Sequence, residues 1–194
     1  MRTTMLGELV DIQIGHSFRA GVRPDAAGAV GVIQMRDLGD DDLVDLASLV
    51  RVSMGVRPGE QVREGDIIFR SRGDRSTCAI VAGEPGCAVV AAPLLRLRVT
   101  DSRLLPAYLN WFINQPPAQE HFARHAEGSN VKMISKSVLE DLDVELPSIE
   151  RQRDIVELAG LSARQRILSG DIESLRSRLL SDVMMNYAKG SEGR

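Results

Sequence analysis

The apolar positions change period along this chain, and each change marks a different kind of element. "GVIQMRDL" (31–38), "GDIIFRSR" (65–72), "TCAIVAG" (77–83) and "CAVVAAPLLRLRV" (87–99) are short apolar or alternating runs rich in Val and Ile. Gly, Pro and Asp bound them, which predicts strands. In "PAYLNWFINQ" (106–115) the period lengthens: Tyr108, Leu109, Phe112 and Ile113 share one helical face, and Pro106 suits a first turn. A second short helix is expected at about 117–126, after Pro116-Pro117. "EGSN" (127–130) reads as a turn, and Ser137 with Glu140 fits a capping box over "SVLEDL" (137–142). "DVELP" (143–147) reads as a strand stopped by Pro147. Ser148 can cap a further helix, with Glu150 and Asp154 near its positive end.

From Ile149 to about Tyr187 no proline interrupts. Leu158, Leu161, Leu168, Ile172, Leu175 and Leu179 keep a 3–4 spacing, with Gln165 the polar exception. That is a coiled-coil seam about three heptads long, on a helix of roughly 55 Å if unbroken. Gly160 and Gly170 each cost about 1 kcal/mol against Ala, so a bend or break is expected near them. A helix packed on its own domain is the plainer reading. Its length favours one that meets another helix. The expected organisation is therefore α+β: a β-rich domain over 1–147, a long helix over 148–189 and a disordered tail at 190–194.

Composition adds limits. Hydrophobic residues at 43% and charged residues at 26% suit a soluble globular chain, and no run of about 18 apolar residues suggests a membrane span. The start, "MRTTMLGELVDI", lacks an apolar signal core, which points to the cytoplasm. Cys78 and Cys87 lack partners at metal spacing and are expected to be buried free thiols. The net charge of −3 argues against a nucleic-acid partner until its distribution is considered. "DLGDDDLVD" (37–45) holds five Asp and no Lys or Arg, so the remainder of the chain carries +2. Charge neither makes nor breaks such a partner.

No catalytic constellation emerges. "NQPP" (114–117) departs from the Asn-Pro-Pro-aromatic loop of amino-methyltransferases, because Gln115 intervenes and Ala118 comes next. No Gly-rich loop has the form needed for a nucleotide or a methyl-donor cofactor, and no nuclease-like carboxylate pair precedes a Glu-x-Lys. His16, His121 and His125 share no metal or triad spacing with carboxylates. The remaining candidates are basic and small polar residues in turns. "FRSRGDRS" (69–76) groups Arg70, Ser71, Arg72 and Arg75 around Gly73; "HSFRAGVR" (16–23) adds Arg19 and Arg23; "GSNVKMISK" (128–136) adds Lys132 and Lys136. Guanidinium groups, a hydroxyl and a glycine-opened backbone suit phosphate contact, although solvated surface charge explains most such residues. Few aromatics are interleaved, which favours duplex over single-strand binding.

The order of segments resembles one half of a specificity subunit of type I restriction–modification systems. The resemblance is carried by "LGELVDIQIGHSF", "GDIIFRSRGD", "PLLRLRV" followed by "LLPAYLNWFINQ", and "GSNVKMISKSVLEDLDVELPSIERQRDIV". Ser148 stands where the family commonly has a second proline, and Arg151 where a Glu usually precedes Gln152. The resemblance implies a non-catalytic target recognition domain followed by a spacer helix. Its implied partners are double-stranded DNA, adenine methyltransferase subunits that carry S-adenosylmethionine, and a translocating nuclease subunit where the system restricts. No cofactor is implied in this chain. It also implies a homodimer through Leu158, Leu161, Leu168, Ile172, Leu175 and Leu179, reading a bipartite site in phage defence. Two rival readings stay open: a coiled-coil scaffold that never binds DNA, and the detached recognition part of a fused methyltransferase–nuclease.

Overall fold

The computed structural model describes residues 3–19, 21–73, 76–128 and 132–190, with backbone alone at 189. In chain order the elements are β1 (Thr3–Met5), β2 (Val10–Ile14), β3 (Val30–Ile33), β4 (Val50–Val52), β5 (Ile67–Arg70), β6 (Cys78–Ile80), β7 (Ala88–Val90) and β8 (Leu94–Val99). They continue with α1 (Pro106–Ile113), α2 (Pro116–His125), α3 (Lys136–Glu140), β9 (Asp143–Glu145) and α4 (Ile149–Gly190). The fold is α+β, a mixed β domain followed by a long C-terminal helix.

Alternation along two strands builds two cores. In β5, Ile67 and Phe69 join one cluster while Ile68 joins another; in β8, Leu95 and Leu97 join the first and Leu94 the second. This is the period of a strand buried on both faces. These strands lie within an antiparallel sheet of order β2-β8-β5-β6. One face packs against α1, α2 and α3 through Leu109, Ile113, Phe122 and Leu139. On the other side Ile68, Ala79 and Leu94 meet Ile33, Ala88 and Val90 of the sheet β4-β3-β7. In that sheet β3 runs antiparallel to β4 and parallel to β7.

Arg96 and Arg98 share the face of β8 opposite Leu95 and Leu97, and their charges need partners. Asp66, 1% exposed, supplies them. Its carboxylate takes a two-pronged contact from Arg98 (Nε to Oδ1 2.7 Å, Nη2 to Oδ2 2.7 Å) and lies 3.7 Å from Arg96 Nη1. Arg96 also donates to Asp11 at 2.9 Å and to Gln13 at 2.8 Å. The acidic segment 37–45 is fastened by backbone bonds from Val44 N to Ile80 O (3.0 Å) and from Ile80 N to Asp42 O (2.9 Å).

Several expectations need correction. "GVIQMRDL" gives a strand only to Ile33, and a 3-10 turn, Met35–Asp37, replaces the rest. The run 87–99 is two strands, β7 and β8, separated by the cis Ala92-Pro93 bond. Ser135, not Ser137, caps α3: its Oγ accepts from Val138 N at 3.3 Å, and Glu140 pairs with Lys136 at 3.5 Å. Cys78 is buried, with its thiol pushed up by burial, whereas Cys87 is exposed; both are unpaired thiols. Ser148 does cap α4, accepting from Arg151 N at 3.4 Å.

α4 runs without a break through Gly160 and Gly170 to Gly190, where a bend or break was expected. Of the expected tail, residues 191–194 lie outside the described residues. The chain divides into two compact units, Met1–Val156 and Glu157–Arg194, so the first turns of α4 belong to the β domain. Gln152, fully buried, secures those turns. Its Oε1 accepts from Leu105 N at 2.8 Å, and its Nε2 donates to Arg103 O at 2.8 Å and Pro147 O at 2.9 Å.

The buried charges yield a test. Asp66→Ala leaves Arg98 without its carboxylate and Arg96 with Asp11 alone, and is expected to cost about 3–5 kcal/mol in chemical denaturation. A loss under about 1 kcal/mol would contradict the network's role.

Candidate nucleic-acid interface

Four backbone segments converge where β5 ends. Arg70 closes the strand, with its N–H on Thr77 O at 2.8 Å and its Nη2 donating to Met35 O at 3.1 Å. The next residues turn toward 132–134: Arg72 bridges Met133, Gly73 N donates to Lys132 O at 3.1 Å, and Ile134 N donates to Ser71 O at 2.8 Å. Gly73 has φ +125°, a conformation L side chains rarely adopt, so glycine opens this turn. Ser71 is buried and its hydroxyl donates to Pro93 O, tying the turn to the β7–β8 connection.

The 15–23 segment is joined to the same connection. His16 N donates to Val90 O at 2.6 Å, and Ala92 N returns to His16 O at 2.9 Å. Gly15 permits this approach, since a Cβ there would lie 2.6 Å from Ala91 C. Phe18, Val22, Gln34, Met35, Ala91 and Ala92 line a cavity of about 310 Å³ between these segments. The Gln34 amide is fixed by a reciprocal cap with Asp37, whose carboxyl accepts from Gln34 N at 2.7 Å. Burial raises the Asp37 carboxyl above its ordinary range, opposed by that bond. Buried Nε2 of Gln34 and Nε of Arg70 find no acceptor among the described residues.

Arg70, Ser71, Arg72 and Lys132 therefore come together, and Arg19 and Arg23 lie on the segment whose cavity includes Met35, the acceptor of Arg70. Arg19, Arg23, Arg72 and Lys132 reach solvent, whereas Arg70 is half-buried. Lys136 stands apart on α3, paired with Glu140. Arg75 lies outside the described residues. The sequence alone did not single out Met35, which accepts from Arg70 and lines the cavity with Phe18 and Val22; the Gln-Met-Arg-Asp run carried no signal beyond its alternation.

Other chemistry is sparse. The rings of His121 and His125 face backbone carbonyls, Val138 O at 2.9 Å and His121 O at 2.8 Å. Among the described residues no group of three or more His, Cys, Asp and Glu could hold a metal ion. No described helix is long and apolar enough to cross a membrane.

The fold is a mixed β domain followed by a long helix. No family model and no curated protein matches the sequence. Solved structures do. Over 92% of its length the chain is similar to a chain from a structure of the type I R-M system's complex assembly and conformational transition (22% identity, TM-score 0.69). Over 87% it is similar to the HsdS subunit from Thermoanaerobacter tengcongensis (22%, 0.59). Over 91% it is similar to the type I restriction-modification S subunit from M. genitalium (14%, 0.57). The chain spans 43%, 38% and 42% of those chains, respectively. The likeness establishes a shared fold.

Ser71→Ala is expected to lower unfolding free energy by about 1–2 kcal/mol, because Pro93 O loses a buried donor. A change within about 0.5 kcal/mol, as for a solvent-facing hydroxyl, would contradict its structural role.

Proposed function

We propose that this chain is a DNA-recognition subunit of a type I restriction–modification complex, reading one half of a bipartite site. The observation that carries the reading is the edge formed by the 70–73 and 132–134 segments with Met35, in a fold shared with S subunits. Exposed Arg72 and Lys132 lie on two backbone segments joined by the Arg72–Met133 bridge and the bond from Gly73 N to Lys132 O. Arg19 and Arg23 extend that edge. Such a surface binds the phosphate backbone first and gains sequence preference from neighbouring loops. Arg70 and Ser71 act behind it by holding the turn.

In this reading the chain performs no chemistry. It selects sequence and holds adenine methyltransferase subunits, which bind S-adenosylmethionine; a translocating nuclease subunit joins where the system restricts. Two recognition domains are needed for a bipartite site, and α4 pairs with the same helix of a second copy. Leu158, Leu161, Leu168, Ile172, Leu175 and Leu179 form the seam, each at least half exposed in the single chain. A two-fold dimer reads a palindromic bipartite sequence.

Two measurements test this. Duplex binding is expected to fall steeply with salt, and Arg72→Ala to lower the slope of log K against log salt by about 0.9. A slope unchanged by the substitution would remove Arg72 from the interface; binding without salt dependence would favour the scaffold reading. Leu168→Asp with Leu175→Asp is expected to give a folded monomer by light scattering. An unchanged mass would remove the helix seam.

A further inference from the structure

The pairing of 71–73 with 132–134 has a third member. Met133 and Glu127 exchange both backbone bonds, Met133 N to Glu127 O at 2.8 Å and Glu127 N to Met133 O at 3.0 Å. On its other side Met133 stands opposite Arg72, flanked by the bonds from Gly73 N to Lys132 O and from Ile134 N to Ser71 O. Residues directly opposite in an antiparallel ladder project from the same face. Arg72, Met133 and Glu127 therefore form a row. Their chain neighbours Ser71 and Ile134 are buried, so alternation points the row outward. All three residues are exposed, Met133 by 44% although it is apolar.

Geometry sets the scale of this row. Arg72 and Met133 form a pair of the non-hydrogen-bonded kind, with Cα atoms about 4.5 Å apart, and Met133 and Glu127 one of the hydrogen-bonded kind, at about 5.5 Å. A row of roughly 10 Å matches three base pairs at a rise of about 3.4 Å each. Its chemistry is ordered, with a cation at one end, an apolar side chain in the middle and a carboxylate at the other. Among the described residues neither charge belongs to an ion pair.

Arg72 suits a phosphate. A carboxylate does not, because the DNA backbone repels it and an anion on a phosphate-binding edge weakens affinity. A hydrogen-bond donor on a base edge offsets that repulsion. In the major groove such donors are the amino groups of cytosine and adenine. Adenine sets its N7 acceptor beside the amino group, where a carboxylate has no proton to offer. Cytosine N4 has no such neighbour on its own base.

We propose that Glu127 is a specificity-determining residue, accepting a hydrogen bond from cytosine N4 in the major groove. The proposal rests on the DNA reading above and names the base that this part of the edge selects. Arg72 anchors one end of the row to phosphate, and Met133 keeps water from the bond at the other. Guanine and thymine present keto oxygens at the same place, so the carboxylate rejects them as well as choosing cytosine.

The test selects bound sequences from a randomised duplex pool with the full chain, then repeats the selection with Glu127→Ala and Glu127→Gln. Both substitutions leave the backbone bonds to Met133 in place. The unaltered chain is expected to hold one cytosine position that Glu127→Ala relaxes, with discrimination there falling about ten- to hundredfold and the other positions unchanged. Glu127→Gln is expected to move that position towards adenine, whose N6 and N7 match an amide. An unchanged motif from Glu127→Ala, with every sequence bound more tightly, would reveal a merely repulsive surface charge and overturn the proposal. Relaxation at an adenine position would overturn the cytosine assignment. Duplex binding by the unaltered chain without any sequence preference would overturn it too, while leaving the phosphate contact of Arg72 standing. No duplex binding at all would remove the DNA reading, and this proposal with it.

Discussion

The first two turns of α4 depend on Gln152. An uncharged side chain buried completely must satisfy its donors and acceptor, and this one does so with three bonds to Leu105, Arg103 and Pro147. Those bonds reach both the connection before α1 and the proline that ends β9. Around them Tyr108 donates to Glu145 O at 3.0 Å, and burial followed by the Glu145 charge pushes its phenol up to about 12. The hydroxyl therefore remains a donor throughout the neutral range. β1 pairs with β9, and Leu6 N donates to Leu142 O at 2.8 Å, so the first strand braces the last one. The start of the helix is fixed by the domain's own hydrogen bonds.

Beyond Val156 the balance changes. The large apolar residues there are half exposed or more, and two glycines each cost about 1 kcal/mol of helix propensity. Helices in water draw most of their stability from packing an apolar face. The physical demand for a partner thus falls on 157–190, while the basic turns around Arg72 belong to the domain.

Legibility in the sequence tracked periodicity. α1, α2, β9 and α4 were legible because apolar spacing and prolines marked their faces and ends. β1, β2 and β4 were not identified as strands: β1 and β4 are three residues each, Thr3–Met5 has no buried residue to set a pattern, and β2 alternates Val10 and Ile12 with polar residues over only five positions. The capping serine was placed two residues late, since Ser135 and Ser137 both precede an apolar run. Asp66 gave a faint signal, because two arginines at alternate positions of an apolar strand demand a buried anion. Gln152 stood out only as a position in the resemblance; by its chemistry a glutamine near a helix start reads as surface until the fold encloses it. The basic turns were visible by composition, but their convergence rests on Ser71, Met35 and Pro93, bonds between residues far apart in the chain.

The central claim is that this chain chooses the sequence on which a methyltransferase acts. The most direct measurement is to co-express it with a type I adenine methyltransferase subunit and map N6-methyladenine on plasmid DNA. A palindromic bipartite motif, present with this chain and absent without it, is the expected result. An absence of any motif, with the methyltransferase soluble and bound to the chain, would contradict the claim.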